Sequence, residues 1–168
     1  DSQIILYKPN SKEIQWEEPR IAMLRRCIEE IKENKINGNL AELGVYKGEF
    51  SKYFNRYFPK RKLYLFDTFS GFNEKDDDEQ DIWLDSNHKF TDASVLDVLG
   101  KMRNPESCII RKGYFPDTAK GLENETYCLV SLDADLYKPT LAGLSYFYPR
   151  LVTGGYIFIH DFGTYAWG

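Results

Sequence analysis

Apolar residues in this chain fall into short runs, and each run ends on, or is closely followed by, an acidic side chain. Glu42 follows Asn39–Ala41, Asp67 follows Leu63–Phe66, and Asp117 lies just past Cys108–Ile110. Asp133 follows Tyr127–Leu132, and His160-Asp161 follows Tyr156–Ile159. Short apolar runs bounded by turn residues read as strands buried on both faces. Between them the spacing turns helical. Pro19 stands at a first-turn position, and Ile21, Leu24, Cys27, Ile28 and Ile31 share one face of a helix that Asn37-Gly38 closes. A second helix carries Phe50, Tyr53, Phe54 and Tyr57 on one side. A third, with Val95, Leu96, Leu99 and Met102, starts near Thr91 or Asp92. Pro139 opens a fourth with Leu141, Leu144, Tyr148 and Leu151, and Gly154-Gly155 turns the chain into its last strand.

This alternation with short links predicts an α/β fold, a doubly wound parallel sheet. It forms one domain over residues 1–168, with residues 1–17 as a polar lead-in. In an open parallel sheet, ligands sit outside the carboxyl ends of the strands, where strand order reverses. The acidic endings therefore converge on one edge, where a nucleoside cofactor and a cation could be held.

Composition narrows the partners. The chain is 42% hydrophobic and 29% charged, ordinary for a globular protein. A net charge of −4 without a basic block argues against nucleic acid. No apolar run reaches membrane-spanning length, and the first residues lack a signal peptide's pattern. Cys27, Cys108 and Cys128 are scattered without ligand spacing and read as buried reduced thiols, which points to a cytoplasmic location. Asn73 to Lys89 is the least regular stretch, with an acidic cluster from Glu74 to Asp81. It reads as a solvated loop or as a lid over the cofactor. His88 lies within it.

Three constellations carry chemistry. In Glu42-Leu43-Gly44-Val45-Tyr46-Lys47-Gly48-Glu49-Phe50-Ser51, Gly44 permits a tight turn and Gly48 opens a helix. The spacing G-x-x-x-G matches neither a nicotinamide fingerprint nor a phosphate-binding P-loop. A zwitterionic amino-acid head group fits better, with Glu42 attracting the ammonium and Ser51 with helix amides taking the carboxylate. A plain strand–turn–helix link is the alternative. Asp67 ends the next strand, where an acidic residue can accept both ribose hydroxyls or simply begin the turn Asp67-Thr68-Phe69-Ser70-Gly71. Asp133-Ala134-Asp135 with His160-Asp161 can make an oxygen-rich site for a hard divalent cation. Tyr114, Phe115 and Asp117 follow the third strand and are placed to border an adenine, unless Phe115 is core.

These segments resemble the class I S-adenosylmethionine-dependent methyltransferases, and most closely the macrocin O-methyltransferase (TylF-like) family. The matching pieces are Glu42–Gly48, Tyr64–Gly71, Gly113–Thr118, Leu132–Tyr137, and Tyr148–Leu151 running into Gly154–Tyr156, in family order from about Glu42 to Gly163. The resemblance implies a Rossmann-like methyltransferase fold, of which five strands are visible. The usual last two strands are absent, which implies either a domain incomplete at its C-terminal end or a shortened fold. It also implies S-adenosylmethionine as cofactor and methyl transfer to a hydroxyl, often on a sugar of a natural product, assisted by magnesium (Mg2+). Cofactor contacts are expected from Glu42, Gly44, Tyr46, Gly48, Ser51, Asp67, Thr68, Tyr114, Phe115, Asp117 and Asp133. A more distant likeness to catechol and caffeoyl-coenzyme A O-methyltransferases assigns the metal to Asp133, His160 and Asp161. Histidine departs from the Asp-Asn or Asp-Asp pair usual there, and Leu136 stands where those enzymes carry a catalytic lysine.

The expected activity is thus O-methylation of a small-molecule hydroxyl, with Asp133 or His160 taking the proton and magnesium lowering the hydroxyl's pKa. Trp16 and Trp83 are candidates to border the acceptor pocket. Neither nucleic acid nor membrane is an expected partner, and a homodimer stays open. A dinucleotide-dependent oxidoreductase is the enzymatic alternative, and a degenerate cofactor-binding module the non-enzymatic one.

Overall fold

A computed structural model of the protein describes residues 19–72 and 90–160. Its strands are β1 (Asn39–Leu43), β2 (Leu63–Asp67), β3 (Cys108–Lys112), β4 (Tyr127–Leu132) and β5 (Leu151–Ile159). All neighbouring strands pair in parallel, in the order β3-β2-β1-β4-β5. The helices are α1 (Pro19–Glu33), α2 (Ser51–Tyr57), α3 (Val95–Lys101) and α4 (Tyr137–Phe147). Among the described residues, no helix is long and apolar enough to cross a membrane.

Strand side chains alternate between two apolar layers because successive residues point to opposite faces. Leu40, Leu63, Leu65 and Leu129 join Leu24, Ile28 and Ile31 of α1, Phe54 of α2 and Val98 of α3 on one face. Ala41, Leu43, Tyr64, Phe66, Val130 and Leu132 meet Phe115 and Phe147 of α4 on the other. Both faces are covered, which is why the strands read as continuous apolar runs rather than as alternating ones. The doubly wound sheet is the one expected.

Helix phase is where pattern and structure part. In α1 the buried set Leu24, Cys27, Ile28 and Ile31 is the expected face. The helix ends at Glu33, ahead of Asn37-Gly38, through a left-handed turn at Lys35 (φ 53°). The third helix starts at Val95, not near Thr91, because the Ser94 hydroxyl caps it by accepting the Asp97 amide at 3.1 Å. Val98 is fully buried, whereas Leu96 is 81% exposed. In α4 the inward residues are Pro139, Gly143 and Phe147, while Leu141 and Tyr148 face outward. Gly143 sets this phase. A Cβ there would lie 2.7 Å from Leu43 Cδ2 and 3.0 Å from Leu132 Cδ2, so a larger residue would have to push these leucine side chains aside. Gly154-Gly155 lies inside β5 rather than before it. The three cysteines are free thiols, with Cys27 and Cys128 buried and Cys108 half-buried.

Candidate functional site

The strand order reverses between β1 and β4, since β2 and β3 extend the sheet beyond β1 and β5 extends it beyond β4. The carboxyl ends of β1 and β4 are stitched together there. The Asp133 amide donates to the Leu43 carbonyl at 2.8 Å, while on the other side of β1 the Gly44 amide donates to the Phe66 carbonyl of β2 at 3.0 Å. Gly44 has φ 83°, and a Cβ would stand 1.9 Å from the Asp133 carbonyl oxygen. No side chain fits, so the β1–α2 loop lies directly against the end of β4.

Asp67 holds that loop from the other side. Its Oδ2 accepts the amides of Val45 and Tyr46, each at 2.8 Å, and its Oδ1 accepts the Phe69 amide at 2.7 Å. A carboxylate offers about four lone-pair sites. Three amides leave room on Oδ1 for about one further donor.

Asp133 is engaged by side chains rather than by backbone amides. Oδ2 accepts from Arg20 Nη2 at 2.9 Å, and Oδ1 lies 2.9 Å from His160 Nδ1. The same Arg20 nitrogen reaches Ser131 Oγ at 3.3 Å, and its guanidinium lies over the Phe50 ring, 3.8 Å from the centroid. The His160 amide donates to the Leu132 carbonyl at 2.9 Å, which fixes the residue beside Asp133. Glu42 lies beneath this group, 1% exposed. Burial, reinforced by the nearby Asp133 charge, pushes its carboxyl well above the ordinary carboxylate range. Ser51, fully buried in α2, donates its hydroxyl to Glu42.

These groups border a cavity of about 270 Å³. Of the expected cofactor contacts, Glu42, Gly44, Tyr46, Asp67, Thr68, Tyr114, Phe115 and Asp133 line it. Gly48, Ser51 and Asp117 do not. Gly48 faces α3, where a Cβ would meet Val98 Cγ1 at 3.1 Å. Ser51 is spent on Glu42, so it is not placed to take a ligand carboxylate. Asp117 is exposed at the start of a 3-10 helix, 3.6 Å from Lys120 Nζ. Phe115 is both core and wall: it is 4% exposed, packs on Phe66 and Phe147, and still borders the cavity. His160 touches the site through Asp133 and is not itself a lining residue. Leu136, also lining, is buried at the N-cap of α4.

Arg20, Phe72 and Phe90 also line the cavity, and no motif in the sequence points to them. The Phe90 ring packs edge-on against Tyr46 and Phe72, with centroids 5.0 and 5.4 Å apart. Arg20 had a detectable signal in its position, because a cation in the first turn of a helix opposes the macrodipole and calls for an anionic partner. The aromatic pair had none, since rings flanking an irregular stretch carry no periodicity.

The expected divalent-cation site is not assembled by the described residues. Among them, no group of three or more His, Cys, Asp or Glu side chains could hold a metal ion. Asp161 lies outside the described residues, as do Trp16, Trp83, His88 and the cluster Glu74 to Asp81. The one expected carboxylate ligand that is described, Asp133, has both oxygens engaged, one of them by a guanidinium.

Comparison with known proteins adds a family. Residues 14–167 match the macrocin-O-methyltransferase (TylF) family profile. The demethyldecarbamoylnovobiocin O-methyltransferase of Streptomyces niveus is 25% identical over 156 residues, covering 85% of this chain and 60% of that protein. The mycinamicin III 3''-O-methyltransferase of Micromonospora griseorubida is 26% identical over 158 residues, covering 85% and 62%. The structure of the O-methyltransferase NovP superposes with a TM-score of 0.71 at 26% identity, covering 84% of this chain and 64% of that one. The chain thus spans about 60% of the length of these relatives.

Proposed function

The chain belongs to the macrocin O-methyltransferase (TylF) family, and from that premise we propose that it acts in S-adenosylmethionine-dependent O-methylation of a small-molecule hydroxyl. The carrying observation is the cavity at the β1/β4 reversal, bounded by the Gly44 loop, Asp67, Tyr114, Phe115 and Asp133. Its chemistry fits a sulfonium nucleoside. The remaining lone pair of Asp67 Oδ1 would accept a ribose hydroxyl, and the Phe115 and Tyr114 side would receive the purine face. Arg20 and Asp133 supply a cation and an anion at the other wall, suited to an amino-acid carboxylate and ammonium. Glu42, held neutral by burial, contributes a hydrogen-bonding group rather than a standing charge.

When bound, the cofactor would supply an electrophilic methyl group for transfer to the acceptor oxygen. The residues must then align the oxygen and remove its proton. His160, whose Nδ1 lies 2.9 Å from Asp133 Oδ1, and Asp133 together are the candidate groups to receive that proton. Asp133 is itself shared between Arg20 and His160. The two relatives are named for O-methylation of demethyldecarbamoylnovobiocin and mycinamicin III. A hydroxyl of a natural product, or of its sugar, is accordingly the proposed acceptor.

Calorimetry on the full-length protein tests the cofactor assignment. S-adenosylmethionine and its demethylated product should bind more tightly than NAD or ATP, and preference for NAD would end this assignment. Tight cofactor binding with no turnover on any hydroxyl acceptor would instead mark a cofactor-binding module.

A further inference from the structure

We propose that Asp92, ahead of α3, is a positioning residue for the β1–α2 loop, holding the Tyr46 and Lys47 side chains in the cavity wall. The inference deepens the methyl-transfer function and rests on it for the identity of the ligand. Asp92 Oδ1 accepts the Tyr46 hydroxyl at 2.8 Å, and its Oδ2 accepts Lys47 Nζ at 2.5 Å. Tyr46 and Lys47 both line the cavity, whereas Asp92 does not. Lys47 first, then Tyr46, hold the Asp92 carboxyl below its ordinary range, so both oxygens remain acceptors at neutral pH.

The backbone of this loop calls for an outside hold. Tyr46 has φ 48°, in the left-handed region that a bulky side chain rarely adopts. Such a conformation persists only where its surroundings over-determine it. From the main chain, Asp67 accepts the Tyr46 amide at 2.8 Å. At the side chain, Asp92 fixes the phenol, and the Phe90 ring packs edge-on with centroids 5.0 Å apart. Lys47 is held at both ends, because its carbonyl also accepts Lys101 Nζ of α3 at 2.8 Å. The loop is thus braced from a segment 45 and 46 positions later in the sequence.

Both Asp92 contacts are exposed, and exposed ion pairs add little to global stability. They matter to a ligand in another way. Where the binding-competent loop conformation is only partly populated, apparent affinity falls by that fraction. The contribution of Asp92 therefore falls on binding rather than on folding.

The test combines calorimetry of the full-length protein with S-adenosylhomocysteine, the demethylated product, and amide hydrogen exchange of the free protein. Asp92→Ala should weaken binding about three- to tenfold. Tyr46→Phe should weaken it as well, and the double variant should bind as Asp92→Ala does, since both changes remove the same contact. In free Asp92→Ala, exchange over residues 44–49 should quicken while β1 and β2 keep wild-type protection. Wild-type affinity in Asp92→Ala, or additive losses in the double variant, would overturn the proposal. Faster exchange throughout the sheet would do the same, because it marks a general loss of stability. Failure of wild type to bind the nucleoside would refute the proposed activity, while loop exchange, which needs no ligand, still decides whether Asp92 braces the loop.

Discussion

Glu42 and Asp67 lie at the ends of neighbouring strands on one sheet edge, yet their surroundings differ. Asp67 is wrapped by three backbone amides that donate to its carboxylate oxygens. Glu42 is sealed under the site with only side-chain partners, and burial raises its pKa well above the ordinary 4.5. The consequence for stability has a definite sign. Above about pH 4.5 the unfolded chain has lost a proton that the folded state keeps, so folded protein binds more protons and stability falls as pH rises. The loss continues until Glu42 ionises in the folded state as well. Glu42→Gln keeps an oxygen to accept the Ser51 hydroxyl but has nothing to titrate. Its stability relative to wild type should therefore climb as pH is raised from roughly 5 towards 8. Thermal denaturation of both proteins across that range checks it, and parallel curves would show that Glu42 is not held neutral.

Helix α4 shows why a list of apolar residues does not fix the buried face of an element. Leu141, Leu144, Tyr148 and Leu151 recur at helical spacing, but the structure turns Pro139, Gly143 and Phe147 inward. Close contact at Gly143 brings the helix down onto Leu43 and Leu132, and Phe147 then fills the space between Phe66, Phe115 and Tyr127. Phe147→Ala should cost about 3–5 kcal/mol, the usual range for emptying a buried aromatic site. Leu141, 48% exposed, should change stability by less than about 0.5 kcal/mol when replaced by alanine. Urea denaturation of the pair separates the two phases. Equal costs would mean the apolar spacing had identified the buried face after all. In α3, likewise, Leu96 fits the periodicity yet projects into solvent, because the Ser94 cap sets the register and turns Val98 inward.

Over the whole molecule, the cofactor assignment has a thermodynamic signature of its own. A ligand that binds only the folded state should stabilise the protein by about 2.7 kcal/mol at a hundred times its dissociation constant. S-adenosylmethionine should therefore raise the melting temperature in a concentration-dependent way, and an unshifted transition at saturating nucleoside would contradict the assignment. The sequence by itself determined where the strands lie, short of the start of β5 at Leu151, together with the alternation that makes a doubly wound parallel sheet and the acidic residues at the strand ends. It could do so because strands buried on both faces must be apolar along their length, and the chain leaves a sheet at its polar margin. Only the tertiary structure decided what those acidic residues face. Asp67 is committed to loop amides and Ser51 to Glu42, while Gly48 packs on α3. Asp133 is paired with an arginine 113 positions earlier in the sequence. A side chain's charge is written in the sequence, but the partner that satisfies it is chosen by which elements the fold brings within hydrogen-bonding distance, and no local pattern records that choice.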